Sequence, residues 1–334
     1  MAKLLGVGAA LWLVVFAFRV ILMGGIDPTY RDQEVKMLSP LRQQLEEVID
    51  KTLPYPQSAL LSGILLGSQN NLPFKLKNDL KTTSTIHMVV VSGQNLSMVA
   101  GFVMSLVYFL GRRKTIVLTL LAVAFYSLLT GFQVPVIRAG IMVFLAYLAQ
   151  LLGRERQGPW VLFLTAGLML LYNPNWLLSI SFQLSFLATF GVIVVAPVIA
   201  SRLKKVPKVL REDLGVTLSA QFLVLPVIAY NFGQISLIGI LVNSLILWSI
   251  PLVMIFGFIG LGLGMVNTFL GQVAGLVPGI LLTYFIDMVQ FFAKIPGSSL
   301  VIGETGIILW LGYYLIIGAL IWILRVKGDG AQEF

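Results

Sequence analysis

The chain has no cysteine and a single histidine, His87, among its 334 residues. The absence of cysteine excludes disulfide bonds, thiolate metal ligands and cysteine nucleophiles. One histidine cannot supply the several imidazole ligands of a typical zinc hydrolase. The sequence also lacks the G-x-x-x-x-G-K-[ST] pattern of an ATP-binding loop. We therefore predict a protein that is not an enzyme and that holds no metal or cofactor.

Charge is scarce as well. Only 11% of the residues are charged, 58% are hydrophobic, and the mean hydropathy is +0.93. Soluble domains carry about 25% charged residues, and several apolar runs here exceed the ~18 residues that indicate a membrane span. The composition predicts an all-α polytopic membrane protein.

The hydrophobic segments predict about ten transmembrane helices, some of them broken or re-entrant. They lie near residues 4–23, 84–110, 115–130, 134–152, 159–172, 176–200, 214–231, 235–266, 268–294 and 300–325. The segment 235–266 would be roughly 48 Å long as a straight helix, longer than a ~30 Å hydrocarbon core. Because Pro251 lies in its middle, we expect one kinked or broken crossing there.

Basic residues occur in alternate loops, which sets the expected orientation. Loops at 111–114, 153–156, 201–208 and 325–328 are basic, whereas those at 130–135, 172–176 and 230–234 carry no charge. Basic loops stay in the cytoplasm, so both termini are expected there. The first run could instead be a cleaved signal peptide, although no small-residue cleavage site stands out after it.

Charge balance divides the chain further. Residues 25–83 contain seven basic and seven acidic residues, and we expect this segment outside the cytoplasm. The spacing of Met37, Leu41, Leu45 and Val48 predicts an amphipathic helix, followed by a short apolar helix on the membrane surface or dipping into it. The expected units are a first span (1–24), this outer segment (25–83), a helical channel domain (84–325) and a cytoplasmic tail (326–334).

The stretch HMVVVSGQNLSMVAGF (87–102) interrupts a span with polar residues and a glycine. A Ser92-Gly93 break frees backbone N–H groups, which only protein or a water-filled cavity tolerates at that depth. Free N–H groups at the start of the next half-helix favour anions. The alternative is a packing kink in which Gly93 lets two helices approach.

Polar side chains recur inside the predicted spans. They are Gln94, Asn95, Arg138, Gln183, Gln221, Asn243, Asp287 and Gln290. Each amide could simply join two helices through a hydrogen bond worth about 0.6 kcal/mol, whereas together they suggest a hydrated interior. Arg138 lies about one turn after Pro135, which can begin its helix. Its side chain either extends outward to the membrane surface or points inward as a fixed positive charge.

Four stretches then resemble the ComEC competence proteins over about residues 55–256. They are SALLSGILLGSQNNLPFKLKNDLKTTSTIHMVVVSGQNLSMVAG, LTGFQVPVIRAGIMVFL, NPNWLLSISFQLSFLATFGVIVVAPVI and AQFLVLPVIAYNFGQISLIGILVNSLILWSIPLV, in the family's order. The resemblance implies a channel in the bacterial inner membrane that takes up single-stranded DNA during natural transformation. By position, His87, Ser92 and Gly93 match the first motif, Arg138 the second, Gln183 the third, and Asn243 with Pro251 the fourth.

The sequence also departs from this family. Members often have a histidine where this chain has Asn95, which puts a proton- or metal-dependent role at that position in doubt. Full-length members carry an OB-type domain and a metallo-β-lactamase-like nuclease domain, and neither is expected here. The resemblance therefore implies separate partners, namely a nuclease, a DNA receptor and a cytoplasmic ATP-driven motor, besides membrane lipids.

The candidate residues of the substrate path are His87, Ser92, Gly93, Gln94, Asn95, Arg138, Gln183, Gln221, Asn243 and Pro251. A transporter for another substrate on the same fold is one alternative to a DNA channel. A membrane scaffold that recruits a nuclease or motor is another. An intramembrane enzyme is a third alternative, but no serine–histidine or paired-carboxylate spacing supports it.

Overall fold

The computed structural model describes residues 2–27, 38–68, 71–153, 157–203, 206–303 and 306–329. Over those residues the chain forms sixteen α-helices and one two-stranded ribbon. The first helices are α1 (Ala2–Leu22), α2 (Ser39–Thr52), α3 (Gln57–Leu66), α4 (Phe74–Thr82), α5 (Gly93–Met104), α6 (Val107–Leu110), α7 (Arg112–Leu129), α8 (Val134–Leu151) and α9 (Gly158–Tyr172). The remaining elements are α10 (Ile180–Phe190), α11 (Ala196–Arg202), α12 (Lys208–Phe232), β1 (Gln234–Ser236), α13 (Gly239–Ile246), α14 (Ser249–Val266), α15 (Thr268–Ala293), β2 (Ser299–Val301) and α16 (Ile307–Asp329).

Five helical segments of the described chain are long and apolar enough to cross a membrane. They are Ile86–Met104, Ile180–Arg202, Arg211–Phe232, Ser249–Val266 and Thr268–Ala293. Each falls within, or within a few residues of, a crossing expected from hydropathy, and the other expected crossings coincide with α1, α7, α8, α9 and α16. An α-helical membrane protein is thus what the structure supports, while the count of ten crossings stays a prediction.

Interrupted spans, which the sequence predicted, are present. A 3₁₀ turn at Ile86–Met88 precedes α5, and Ser92 between them is extended, with φ −109° and ψ 168°. The element at 235–266 is interrupted between α13 and α14, where Leu247 and Trp248 keep helical backbone angles. Pro251 explains this second interruption, because it has no N–H to donate to the carbonyl of Leu247.

The helices of the charge-balanced segment share a core with the last long helices. α2 is amphipathic as predicted, with Leu45 and Ile49 buried, whereas Met37 lies outside the described residues. Every residue of α3 from Ser58 to Leu66 is buried, in one cluster with apolar residues of α13, α14 and α15. The position of α3 relative to the membrane stays a prediction, but its burial by protein was not evident from hydropathy.

Glycines allow α14 and α15 to pack closely against each other and against α2. A Cβ built on Gly271 would lie 2.6 Å from both the Gly264 Cα and the Thr52 Cγ2. A Cβ on Gly264 would lie 2.9 Å from Val48 Cγ1. Small residues that let backbones approach are the usual basis of helix association in membranes, so this contact fixes three helices together.

The first helix docks onto α9 through polar groups. Arg19 donates from Nε to the Leu171 carbonyl at 3.0 Å and from Nη2 to the Tyr172 carbonyl at 2.6 Å. The Trp12 indole donates to the Gly167 carbonyl at 3.2 Å. The last carbonyls of a helix lack partners within it, so Arg19 satisfies the end of α9 and places a positive charge at its negative pole.

A short ribbon joins two distant connections, a feature that an all-α prediction missed. β1 and β2 are antiparallel, with Gln234 opposite Val301 and Ser236 opposite Ser299. They link the α12–α13 connection to the α15–α16 connection. Three-residue strands leave too little periodic pattern in a sequence to be recognised.

The glycine contact predicts a difference between two alanine substitutions. Gly271→Ala should lower the free energy of unfolding of the purified protein in detergent by about 1–3 kcal/mol, because the new methyl group would clash with the backbone of α14 and with Thr52. The melting temperature should fall accordingly. Gly262→Ala on α14 is the matched control, since a Cβ there meets nothing within 4 Å. Equal melting temperatures for the two variants would contradict the proposed packing role.

Candidate functional site

The start of α5 is the centre of the candidate site. Ser92 is the N-cap residue, yet its side chain makes no capping hydrogen bond. The first N–H groups of a helix have no partner within the helix, and Gly93 at the first position is buried. The break therefore places free donors, with partial positive charge, inside the protein.

Arg138 reaches this break from α8. The helix begins at Val134 with Pro135 in its first turn, as the sequence predicted. The Arg138 side chain is only 8% exposed, so it points inward. Its Nη1 donates to the Ser185 carbonyl of α10 at 3.0 Å, and its Cζ lies 5.9 Å from the Phe186 ring centroid.

Arg138 and Gly93 are in direct contact. A Cβ built on Gly93 would lie 2.5 Å from Arg138 Nη2 and 3.2 Å from Ala139 Cβ. Among the described residues no carboxylate pairs with Arg138, and its Nε has no hydrogen-bond partner. A charged side chain buried within a membrane protein is costly unless it is paired. The guanidinium and the start of α5 thus form one electropositive site.

Asn95, two residues after Gly93, has a clear structural contact. It is 2% exposed, and its Nδ2 donates to the Ile64 carbonyl in the last turn of α3 at 3.0 Å. Ser92 Oγ donates to Asn95 Oδ1 at 3.3 Å, and the Tyr126 hydroxyl lies beside the same amide. Asn95 therefore caps α3, whereas its neighbour Gln94 is exposed.

A second group of predicted residues lies around α13. The His87 ring faces the amide of Asn243, while His87 Nδ1 bonds to the Ser84 carbonyl at 2.9 Å. Because a carbonyl only accepts, Nδ1 carries the proton. Gln221 Nε2 would lie 3.3 Å from a Cβ on Gly239, at the start of α13. The structure thus brings His87 and Gln221 close to α13, the helix that carries Asn243.

The two remaining candidates, Gln183 and Pro251, have no hydrogen bond to either group among those of the described residues. Gln183 Nε2 donates to the Leu177 carbonyl at 3.0 Å, across the start of its own helix. Pro251 is in the first turn of α14, just after the interruption that separates it from α13. Within the described ranges no three His, Cys, Asp or Glu side chains are placed to hold a metal ion.

Sequence reasoning missed the partners of Arg138 and Asn95. The carbonyls of Ser185 and Ile64 could not be identified, because a backbone acceptor has no residue signature. Phe186 could have been identified from the sequence, because it follows Phe182 by four residues on α10. In the structure the centroids of the two rings lie 4.3 Å apart. Residues at that spacing share a helix face.

The capping role of Asn95 predicts a loss of stability on substitution. Asn95→Leu should lower the free energy of unfolding by about 1–3 kcal/mol, because the buried Ile64 carbonyl loses its donor. Thermal unfolding in detergent measures the change. Gln94→Leu makes the same chemical change at the exposed neighbouring position and should melt like the unchanged protein. If Asn95→Leu melted the same way, Asn95 would not be holding α3.

Comparison with known proteins places these features in a family. The protein-family model described as "Competence protein" matches residues 64–327, from α3 into α16. This match includes both groups of candidate residues. No solved structure is similar to the chain at a significant level.

Several curated proteins are similar to the chain. ComE operon protein 3 of Bacillus subtilis is 26% identical over 212 residues, which are 63% of this chain and 27% of that protein. The uncharacterized protein YcaI of Escherichia coli is 31% identical over 232 residues, 64% of this chain and 30% of that protein. An uncharacterized Aquifex aeolicus protein is 38% identical over 151 residues, 45% and 35% of the two chains.

The chain thus spans about a third or less of the length of these relatives. The family model, by contrast, matches far more than half of the chain. The chain belongs to the competence protein family.

Proposed function

We propose that the chain forms a passage through which single-stranded DNA enters the bacterial cytoplasm during natural transformation. It lies in the inner membrane with both termini in the cytoplasm, and it carries out no catalysis itself. A separate nuclease, a DNA receptor and an ATP-driven motor act with it. Family membership supports a role in competence, and ComE operon protein 3 is a relative by sequence.

The observation that carries the proposal is the interrupted span at α5. Its first turn is uncapped by any side chain, and Arg138 contacts it inside the protein. A protein that only anchors a partner to the membrane has no need for free donors at that depth, where every unpaired group is costly. A passage for a polyanion needs donors that bind the substrate weakly and briefly.

The basic residues at the start of α7 fit the opposite end of such a passage. Arg112, Arg113 and Lys114 form the exposed first turn of α7, and their charge favours the cytoplasmic side. Single-stranded nucleic acid carries one negative charge per nucleotide and binds basic surfaces through counterion release. These side chains would therefore hold the emerging strand before a motor takes it up.

Flux into proteoliposomes tests the proposal. Fluorescent single-stranded DNA should enter vesicles that contain the unchanged protein. Gly93→Leu should reduce the entry at least about tenfold, because its side chain would displace Arg138 from the start of α5. Gly101→Leu is the control on the same helix, where a Cβ meets nothing within 4 Å. It should leave both flux and melting temperature unchanged.

Two results would contradict a DNA passage. One is no entry of DNA with the unchanged protein, even with an ion gradient or an added motor, which would favour another substrate or a scaffold. The other is equal flux through Gly93→Leu and Gly101→Leu. Since Gly93→Leu could unfold the protein, the smaller Gly93→Ala and a melting curve for each variant accompany the measurement.

A further inference from the structure

Arg138 is only partly satisfied by the protein around it. One guanidinium nitrogen, Nη1, has the Ser185 carbonyl as its acceptor at 3.0 Å. Nε has no acceptor among the described residues, and Nη2 faces the backbone of Gly93. The side chain is nevertheless more than nine-tenths buried. Buried cations usually have all their donors paired, either with another residue or with a ligand.

Gly93, which Arg138 faces, gives it no recorded hydrogen bond, and the Gly93 carbonyl already accepts from Ser97 Oγ at 2.8 Å. Gly93 opens a twelve-residue helix whose first N–H groups are donors, and no side chain caps them. Two sets of donors, one charged and one partly charged, thus converge from α8 and α5. The described residues place no carboxylate between them. An oxyanion is the chemical group that would satisfy both sets at once.

The shape of the site selects the kind of oxyanion. A guanidinium presents donors in a fixed fork that matches two oxygens of a phosphate, and helix N-termini bind phosphate through backbone N–H groups. Gly93 contributes no side chain, and any Cβ there would lie 2.5 Å from Nη2. A phosphodiester has two non-bridging oxygens, so one can accept from Arg138 while the other accepts from the first turn of α5.

We propose that Arg138 and the first turn of α5 form a subsite that binds one backbone phosphodiester of the strand at a time. This inference rests on the proposed passage for DNA and adds that the strand is recognised here by phosphate charge and not by its bases. Nη1 stays with Ser185 and holds the side chain in place. Nη2, which lies at the start of α5, releases one phosphate as the next arrives.

Strands with and without backbone charge separate this subsite from the passage as a whole. Octathymidylate with phosphodiester linkages is compared with octathymidylate carrying uncharged methylphosphonate linkages, by fluorescence anisotropy with the purified protein in detergent. The unchanged protein should bind the charged strand about tenfold more tightly than the neutral one. In Arg138→Gln that preference should disappear, because the amide retains a donor for the Ser185 carbonyl but no charge.

Matched variants guard against a merely structural effect. Arg138→Lys keeps the charge but loses the fork, and should retain part of the preference. Lys75→Gln removes an exposed charge on α4, which has no part in the proposed passage, and should retain the preference. Melting curves for all three variants exclude unfolding as the cause of a loss.

The outcomes are distinguishable from those of the flux assay. Loss of the preference in Arg138→Gln supports the subsite whether or not DNA crosses the vesicle membrane. An unchanged preference in Arg138→Gln overturns the subsite, even if DNA crosses the unchanged protein. If DNA fails to cross while the preference depends on Arg138, the result contradicts the proposed passage and supports the phosphate subsite.

Discussion

The structure depends on one constraint, that every backbone N–H and carbonyl group at membrane depth needs a partner. A continuous helix meets this demand by itself, whereas a helix broken at Ser92 does not. The protein surrounds the break with its own elements, since α5 packs against α7 and α8 and Asn95 contacts α3.

The short helix α3 shows how this shelter is built. Its end is closed by Gly67 in a left-handed conformation, with φ +78°. The Gly67 N–H donates to the Gly63 carbonyl, and the Asn95 side chain donates to the Ile64 carbonyl. A side chain from the start of α5 thus satisfies the end of α3, whereas the first turn of α5 itself has no side-chain cap.

Much of this architecture was predictable from residue chemistry acting locally. Glycine and serine in an apolar run indicated the break at Ser92-Gly93, Pro135 indicated the start of α8, and Pro251 indicated a kink. In each case the cause lies within the residue's own backbone. Hydropathy likewise located helices at the expected crossings, because burial in lipid acts on every residue of a span.

The rest required knowledge of the tertiary arrangement. Sequence could not decide between outward and inward orientations of Arg138, because that choice depends on α5 and α10 being adjacent to α8. The sequence also assigned every amide the same expected role. In the structure Asn95 caps a helix, whereas Gln183 makes a hydrogen bond within its own segment. Partners far apart in the chain, such as Arg19 and Tyr172, leave no local pattern.

The ribbon of β1 and β2 has a mechanical consequence. It ties the connection after α12 to the connection after α15, and the Leu237 N–H and the Ile302 N–H extend the tie to Ser298 and Gly233. The ends of these helices can separate only by breaking several backbone hydrogen bonds together. The ribbon therefore holds the end of α12 next to the end of α15. Any movement that separates helices is expected at other helix pairs.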